Sequence, residues 1–149
     1  MRTNVTVLPA GLLTTGLTVL AWMLAGCTLF ATATVSMEVE RRDATLLVRG
    51  STDLPDGAIL YVGLSDPDGT RIESVPTVVE NGSYMRDLDL MDWPPGRVLV
   101  LVGFSIEPDQ PDAVVDRFGP DGERLAGPNV HVDSDGQREL QLYRAITID

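Results

Sequence analysis

The sequence predicts an all-β fold for most of the chain: one antiparallel β-sandwich of seven or eight strands over residues 35–149. Two observations lead there. Apolar and polar residues alternate with period two in segment after segment, as half-buried strands require. Turn dipeptides separate those segments at short, regular intervals, the spacing of a sandwich. The chain has 149 residues, one domain's worth by length.

The strands follow in order. Val35, Met37 and Val39 alternate with Ser36, Glu38 and Glu40. Arg41-Arg42-Asp43 then reads as a hairpin turn into Thr45–Ser51, with Leu46 and Val48 inward. Ile59–Ser65 places Leu60, Val62 and Leu64 on one face, and Val75–Glu80 places Val75, Thr77 and Val79. Ser83–Leu90 carries Tyr84, Leu88 and Leu90; its aspartates interrupt any apolar helical stripe. Val98–Ile106 is nearly all apolar and reads as the central strand. Val114–Phe118 is a short further strand, and Leu140–Ile148 closes the sheet. Between them, Leu54-Pro55-Asp56-Gly57, Asp66-Pro67-Asp68-Gly69 and Gly119-Pro120-Asp121-Gly122 have type I turn chemistry. Pro95-Gly96 suits a type II turn. Asn81-Gly82 and Asp135-Gly136 are hairpin dipeptides needing positive φ at both positions.

The first 26 residues differ in kind. Arg2 is the only charged side chain before Glu38, and the apolar run ends in Leu24-Ala25-Gly26-Cys27. A basic start, an apolar core and a small-residue site form a secretory signal pattern. The quartet resembles the lipobox of bacterial lipoproteins. That resemblance implies cleavage between Gly26 and Cys27, lipidation of Cys27 and anchoring in the cell membrane or outer membrane, outside the cytoplasm. An uncleaved span or a buried N-terminal helix are the rivals; Pro9, Gly11 and Gly16 count against the span. Residues 27–34 then read as the lipidated cysteine and a short tether. That tether is too short for a long stalk, so the domain is expected close to the membrane, and its acidity to make it stand off from anionic lipid rather than lie flat.

A second resemblance lies between Asn81 and Val100. Asn81-Gly82-Ser83-Tyr84, Leu88-Asp89-Leu90 and Trp93-Pro94-Pro95-Gly96-Arg97-Val98 resemble the hairpin of transthyretin-like and other immunoglobulin-like bacterial domains. It implies that class of sandwich; such folds carry many functions.

Composition excludes more than it suggests. The formal net charge is −11, and all basic side chains are arginine. A surface this acidic is not expected to bind nucleic acid. One His and one Cys cannot build a typical zinc site or an internal disulfide. No cofactor is implied, and a Schiff-base or phosphate-loop lysine is absent. His131, with Asp133 nearby, is the only candidate general base. Ser105 and Ser134 sit in no nucleophile-elbow motif, so a small hydrolase is the weakest reading. Asp66, Asp68 and Thr70 with Asp56, or Asp87, Asp89 and Asp92, offer hard oxygens for Ca²⁺, though solvated turns explain them equally well. Trp93, with Tyr61 or Tyr84, could stack on a carbohydrate or simply pack in the core. Glu107-Pro108-Asp109-Gln110-Pro111-Asp112 is an acidic loop suited to a partner contact or to a plain crossover. The expectation is a non-catalytic, lipid-anchored binding or structural module; Ca²⁺ or carbohydrate binding is the alternative.

Overall fold

The computed structural model describes residues 29–107 and 109–149. The Gly26-Cys27 cleavage and lipidation sites, and residues 1–26, lie outside the described residues. The strands are β1 (Ala31–Thr32), β2 (Glu38–Arg42), β3 (Thr45–Ser51), β4 (Ile59–Ser65), β5 (Ile72–Val78), β6 (Ser83–Asp89) and β7 (Gly96–Phe104). A helix, α1 (Asp112–Phe118), precedes β8 (Leu125–Ala126), β9 (Val130–Val132) and β10 (Arg138–Ile148). One antiparallel sheet has the order β5-β4-β7-β10-β9, and a second has the order β2-β3-β6. β1 and β8 form a small parallel ribbon. The fold is thus mostly β, in antiparallel sheets consistent with a sandwich.

The alternation in sequence explains the layering. Val98, Val100, Val102 and Phe104 of β7 are all buried, as are Leu60, Val62 and Leu64 of β4. They join Leu46 and Val48 of β3 and Tyr84 and Leu88 of β6 in one apolar cluster. Each such side chain contributes roughly 1.5–3 kcal/mol when fully buried, and the cluster draws on both sheets. β7 lies in the middle of the five-stranded sheet, between β4 and β10, as its continuous apolar run requires. Among the described residues, no helix is long and apolar enough to cross a membrane.

Four expectations change. Val114–Phe118 is helical, not extended. Pro111 holds φ at −60° at the helix entrance, and Asp112 sits in the first turn. Val114 and Phe118, four apart, bury one face. The Phe118 ring meets Phe104 edge-on at 5.7 Å between centroids, so packing overrides the strand preference of two valines. Second, only Asn81-Gly82 has positive φ at both positions (51° and 67°); in the other hairpin Gly136 alone does (83°). There the Asp133 carboxylate accepts the N–H groups of Asp135 and Gln137, at 2.9 and 2.8 Å, and shapes a longer turn. Third, Gly96 has φ 142°, away from the roughly +80° of a type II turn, and is the first residue of β7. Fourth, the expected tether is part of the fold from Ala31 onward. Ala33 is fully buried. Its N–H donates to the Ala126 carbonyl at 2.8 Å, and that of Ala31 to the Arg124 carbonyl at 2.7 Å. Arg117 donates to the carbonyls of Thr32 and Asp53, and the Asp53 carboxylate accepts the Thr34 N–H at 2.7 Å.

Tyr84 ties the three-stranded sheet together from inside. Its hydroxyl donates to the Ser36 carbonyl at 2.6 Å, and burial pushes its phenol well above the ordinary range. The ring passes beside Gly50, where a Cβ would overlap the Ser36 carbonyl and lie 2.8 Å from Tyr84 Cε1. Gly50→Ala is therefore expected to cost about 2 kcal/mol or more by overpacking. Tyr84→Phe is expected to cost about 1 kcal/mol by removing one hydrogen bond. Urea unfolding of the two variants checks both values and their order.

Candidate binding surface

Antiparallel pairing leaves two free edges side by side. β5 ends the larger sheet and β6 ends the smaller one. In an antiparallel strand successive residues direct their N–H and C=O groups to opposite sides. The Met85 carbonyl accepts the Thr77 hydroxyl of β5 at 3.1 Å, so Met85 faces the seam between the sheets. By alternation Asp87 and Asp89 face it too. On β5, Val79 beyond the strand end bonds back to Ala58 and Gly57. Thr77 and Val75 follow the same side, which turns Pro76 toward the open edge. Pro76 has no N–H to offer there, which blunts that edge.

Two depressions border the seam. One has a volume of about 670 Å³ and extends from Glu38 and Arg49 across Tyr84 and Met85 of β6 to Thr77 and Val78 of β5. The other, about 620 Å³, includes Leu64, Glu73, Val75, Arg86, Asp87 and Leu88. The lining of both mixes apolar with charged side chains. Met85 and Val78 are exposed, while Arg86 stands on the edge strand at a position whose neighbours on the same face, Tyr84 and Leu88, are buried. An inward-pointing charge of this kind discourages uncontrolled strand pairing.

The side chains nominated from sequence are mostly engaged elsewhere. His131 is exposed on β9, opposite Glu139 of β10. Asp133 spends its carboxylate on the β9–β10 turn rather than on the imidazole. Ser105 donates to Glu107 at 3.2 Å, and Ser134 is an exposed turn residue. The Asp66 carboxylate accepts the Thr70 hydroxyl at 2.6 Å and the Arg71 N–H at 3.0 Å. Asp56 instead accepts the Gly82 N–H at 3.2 Å, and Asp89 accepts that of Met91 at 2.8 Å. Among the described residues no group of three His, Cys, Asp or Glu side chains is placed to hold a metal ion.

Trp93 is buried, not a stacking platform. The Arg71 guanidinium covers its ring at 4.3 Å, and its N–H donates to Glu73 at 3.2 Å. Tyr61 donates to Glu107 at 2.9 Å, which raises the Tyr61 phenol above its ordinary value. The acidic loop after β7 leads into α1, and its Gln110 turns inward. The Gln110 amide donates to the Ile59 carbonyl and accepts the Ile59 N–H, at 2.9 and 3.0 Å, as a neighbouring strand would. Neither the Gln110 plug nor the seam was visible as a motif. The sequence marks available were Pro76 within an alternating strand and Arg86 at an inward position of another.

A scan against protein-family models finds no match to the chain, and a search of curated proteins finds none either.

The Asp66 turn gives a pH-dependent test. The Thr70 hydroxyl and then the Arg71 N–H hold the Asp66 carboxyl below its usual 3.8. A depressed carboxyl stabilises the fold above its unfolded value and loses that contribution as pH falls through its folded value. Asp66→Asn is expected to lower the melting temperature at neutral pH. The gap to wild type should narrow progressively once the pH drops below 3.8. Thermal melts across that range check the sign.

Proposed function

We propose that the chain is a lipid-anchored, extracytoplasmic β-sandwich that acts as a non-catalytic binding or structural module. The observation that carries it is the placing of Leu24-Ala25-Gly26-Cys27 directly ahead of a β domain whose first strand begins at Ala31. The small residues suit a narrow peptidase cleft, and the cysteine supplies the thiolate for a thioether. One acyl chain holds a protein only marginally. A diacylglyceryl group, as the lipoprotein resemblance implies, holds it firmly in the cell membrane or outer membrane.

The strand order supports the immunoglobulin-like member of the expected pair. β2-β3-β6 against β4-β7-β10 corresponds to strands A-B-E against C-F-G of that class. β5 lies beside β4, so the flank of β6 stays open. A partner reaching an anchored domain would find that seam, with its mixed apolar and charged lining, accessible from the side. The hydrolase reading has less behind it, since Asp133 is committed to its turn.

The anchor is tested by growing wild-type and Cys27→Ala proteins with labelled palmitate in a bacterial host. Wild type should carry the label and fractionate with membranes; the variant should lose both. Equal, unlabelled secretion of the two would overturn the reading.

A further inference from the structure

We propose that the Leu29–Phe30 end of the domain seats directly on the phospholipid bilayer surface, so that the sandwich stands upright on the membrane with the Met91 turn outermost. This rests on the lipid anchor proposed above and goes further, because it fixes an orientation and a contact. Leu29 is 81 % exposed and Phe30 57 % exposed, although both are large and apolar. Immediately after them the chain is locked. Ala31 and Thr32 pair with Leu125 and Ala126, Ala33 is fully buried, and Arg117 and Asp53 bond the backbone of Thr32 and Thr34. The ribbon is so close to β8 that a Cβ on Gly127 would overlap the Ala33 carbonyl. No slack remains from Ala31 on.

Chain length then decides what covers the exposed pair. Cys27 is two residues before Leu29, which allows at most about 7 Å of chain between their Cα atoms. The polar zone of a bilayer leaflet is itself only about 5–7 Å deep. A diacylglyceryl thioether at Cys27 therefore brings Leu29 and Phe30 to the lipid interface. Apolar side chains with a polar neighbour suit that zone. The neighbour is Arg138, whose guanidinium lies 5.0 Å from the Phe30 ring centre; its Nη1 donates to the Leu125 carbonyl at 3.2 Å, and its remaining N–H groups can meet lipid phosphate. Asp121 and Glu123 share the adjoining turn, where the Glu123 carboxylate accepts the Asp121 N–H. The contact is thus the apolar pair with Arg138, not a broad cationic face. The short tether expected from the sequence, which keeps an acidic domain close to the membrane without its lying flat, becomes a rigid connection in this arrangement.

The pole opposite follows from β3. Thr52, just past its end, bonds Thr34 at 2.8 Å. Its start lies beside Leu90, whose N–H donates to the Ala44 carbonyl at 2.8 Å. The strand separates these poles by about 20 Å, and Met91, 78 % exposed, marks the distal one.

Depth-dependent quenching tests the proposal. Full-length Phe30→Trp and Met91→Trp proteins are processed in a bacterial host with labelled palmitate and reconstituted into phosphatidylglycerol–phosphatidylethanolamine vesicles. The acyl chains of those lipids are brominated near the glycerol end. Both substitutions fall at exposed positions, and the unsubstituted protein supplies the background emission. The expected result is a several-fold loss of the added emission for Phe30→Trp and none for Met91→Trp. Labelled protein with neither quenched means a domain that stands off, and overturns the seating while leaving the anchor. Both quenched means a domain lying flat, and overturns the upright orientation. Absence of label removes the anchor itself and the proposal with it.

Discussion

The burial of β7 on one side is the constraint from which the rest of the molecule follows. Val98, Val100, Val102 and Phe104 project from one face of a single strand into the space shared by both sheets. β10 pairs with it along its whole length through Leu140–Ile148, and β4 pairs with its Leu99–Gly103 stretch through Tyr61–Ser65. A slip of one residue would turn all four side chains to the wrong face, so the register of three strands is set together. With β7 central, β5 and β9 are the outer strands of the sheet, and the smaller sheet can cover only part of the apolar face. The open seam between β5 and β6 is the geometric remainder of that arrangement.

The second organising contact is the N-terminal latch. α1 serves it through its last turn. Phe118 packs under Phe104, while Arg117 reaches back to the carbonyls of Thr32 and Asp53. Hydrogen bonds from a charged donor are worth roughly 1.5–3 kcal/mol, and here they hold a two-residue strand that has little pairing energy of its own. The consequence concerns function more than stability. Under the proposed anchor, a lipid on Cys27 would lie two residues from Leu29 and four from a locked β1.

Much of this was legible because strands of a half-buried sheet write their period into the sequence. Thr45–Ser51 and Ile59–Ser65 match their expected bounds, and Asn81-Gly82 makes the hairpin its residues demand. The misreadings share a cause, which is contact with residues distant in the chain. Val114 and Val115 look extended until Phe104 supplies a surface for Phe118. Thr28–Thr34 looks like a tether until Leu125, Ala126 and Arg117 arrive to bind it. Trp93 reads as either a stacking platform or a core residue until Arg71 covers it. The seam was the least legible feature of all, since an edge is defined by which strands do not pair.

Native-state amide hydrogen exchange on the free protein tests the central arrangement most directly. The β7 amides from Val98 to Phe104, in a strand paired on both flanks, should exchange slowest and without alternation. In β6 the amides of Tyr84, Arg86 and Leu88 should be protected by β3, while those of Asp87 and Asp89 exchange rapidly. Uniform protection along β6, or fast exchange at alternate positions of β7, would contradict the account, because it would mean that the seam is closed or that β7 is itself an edge.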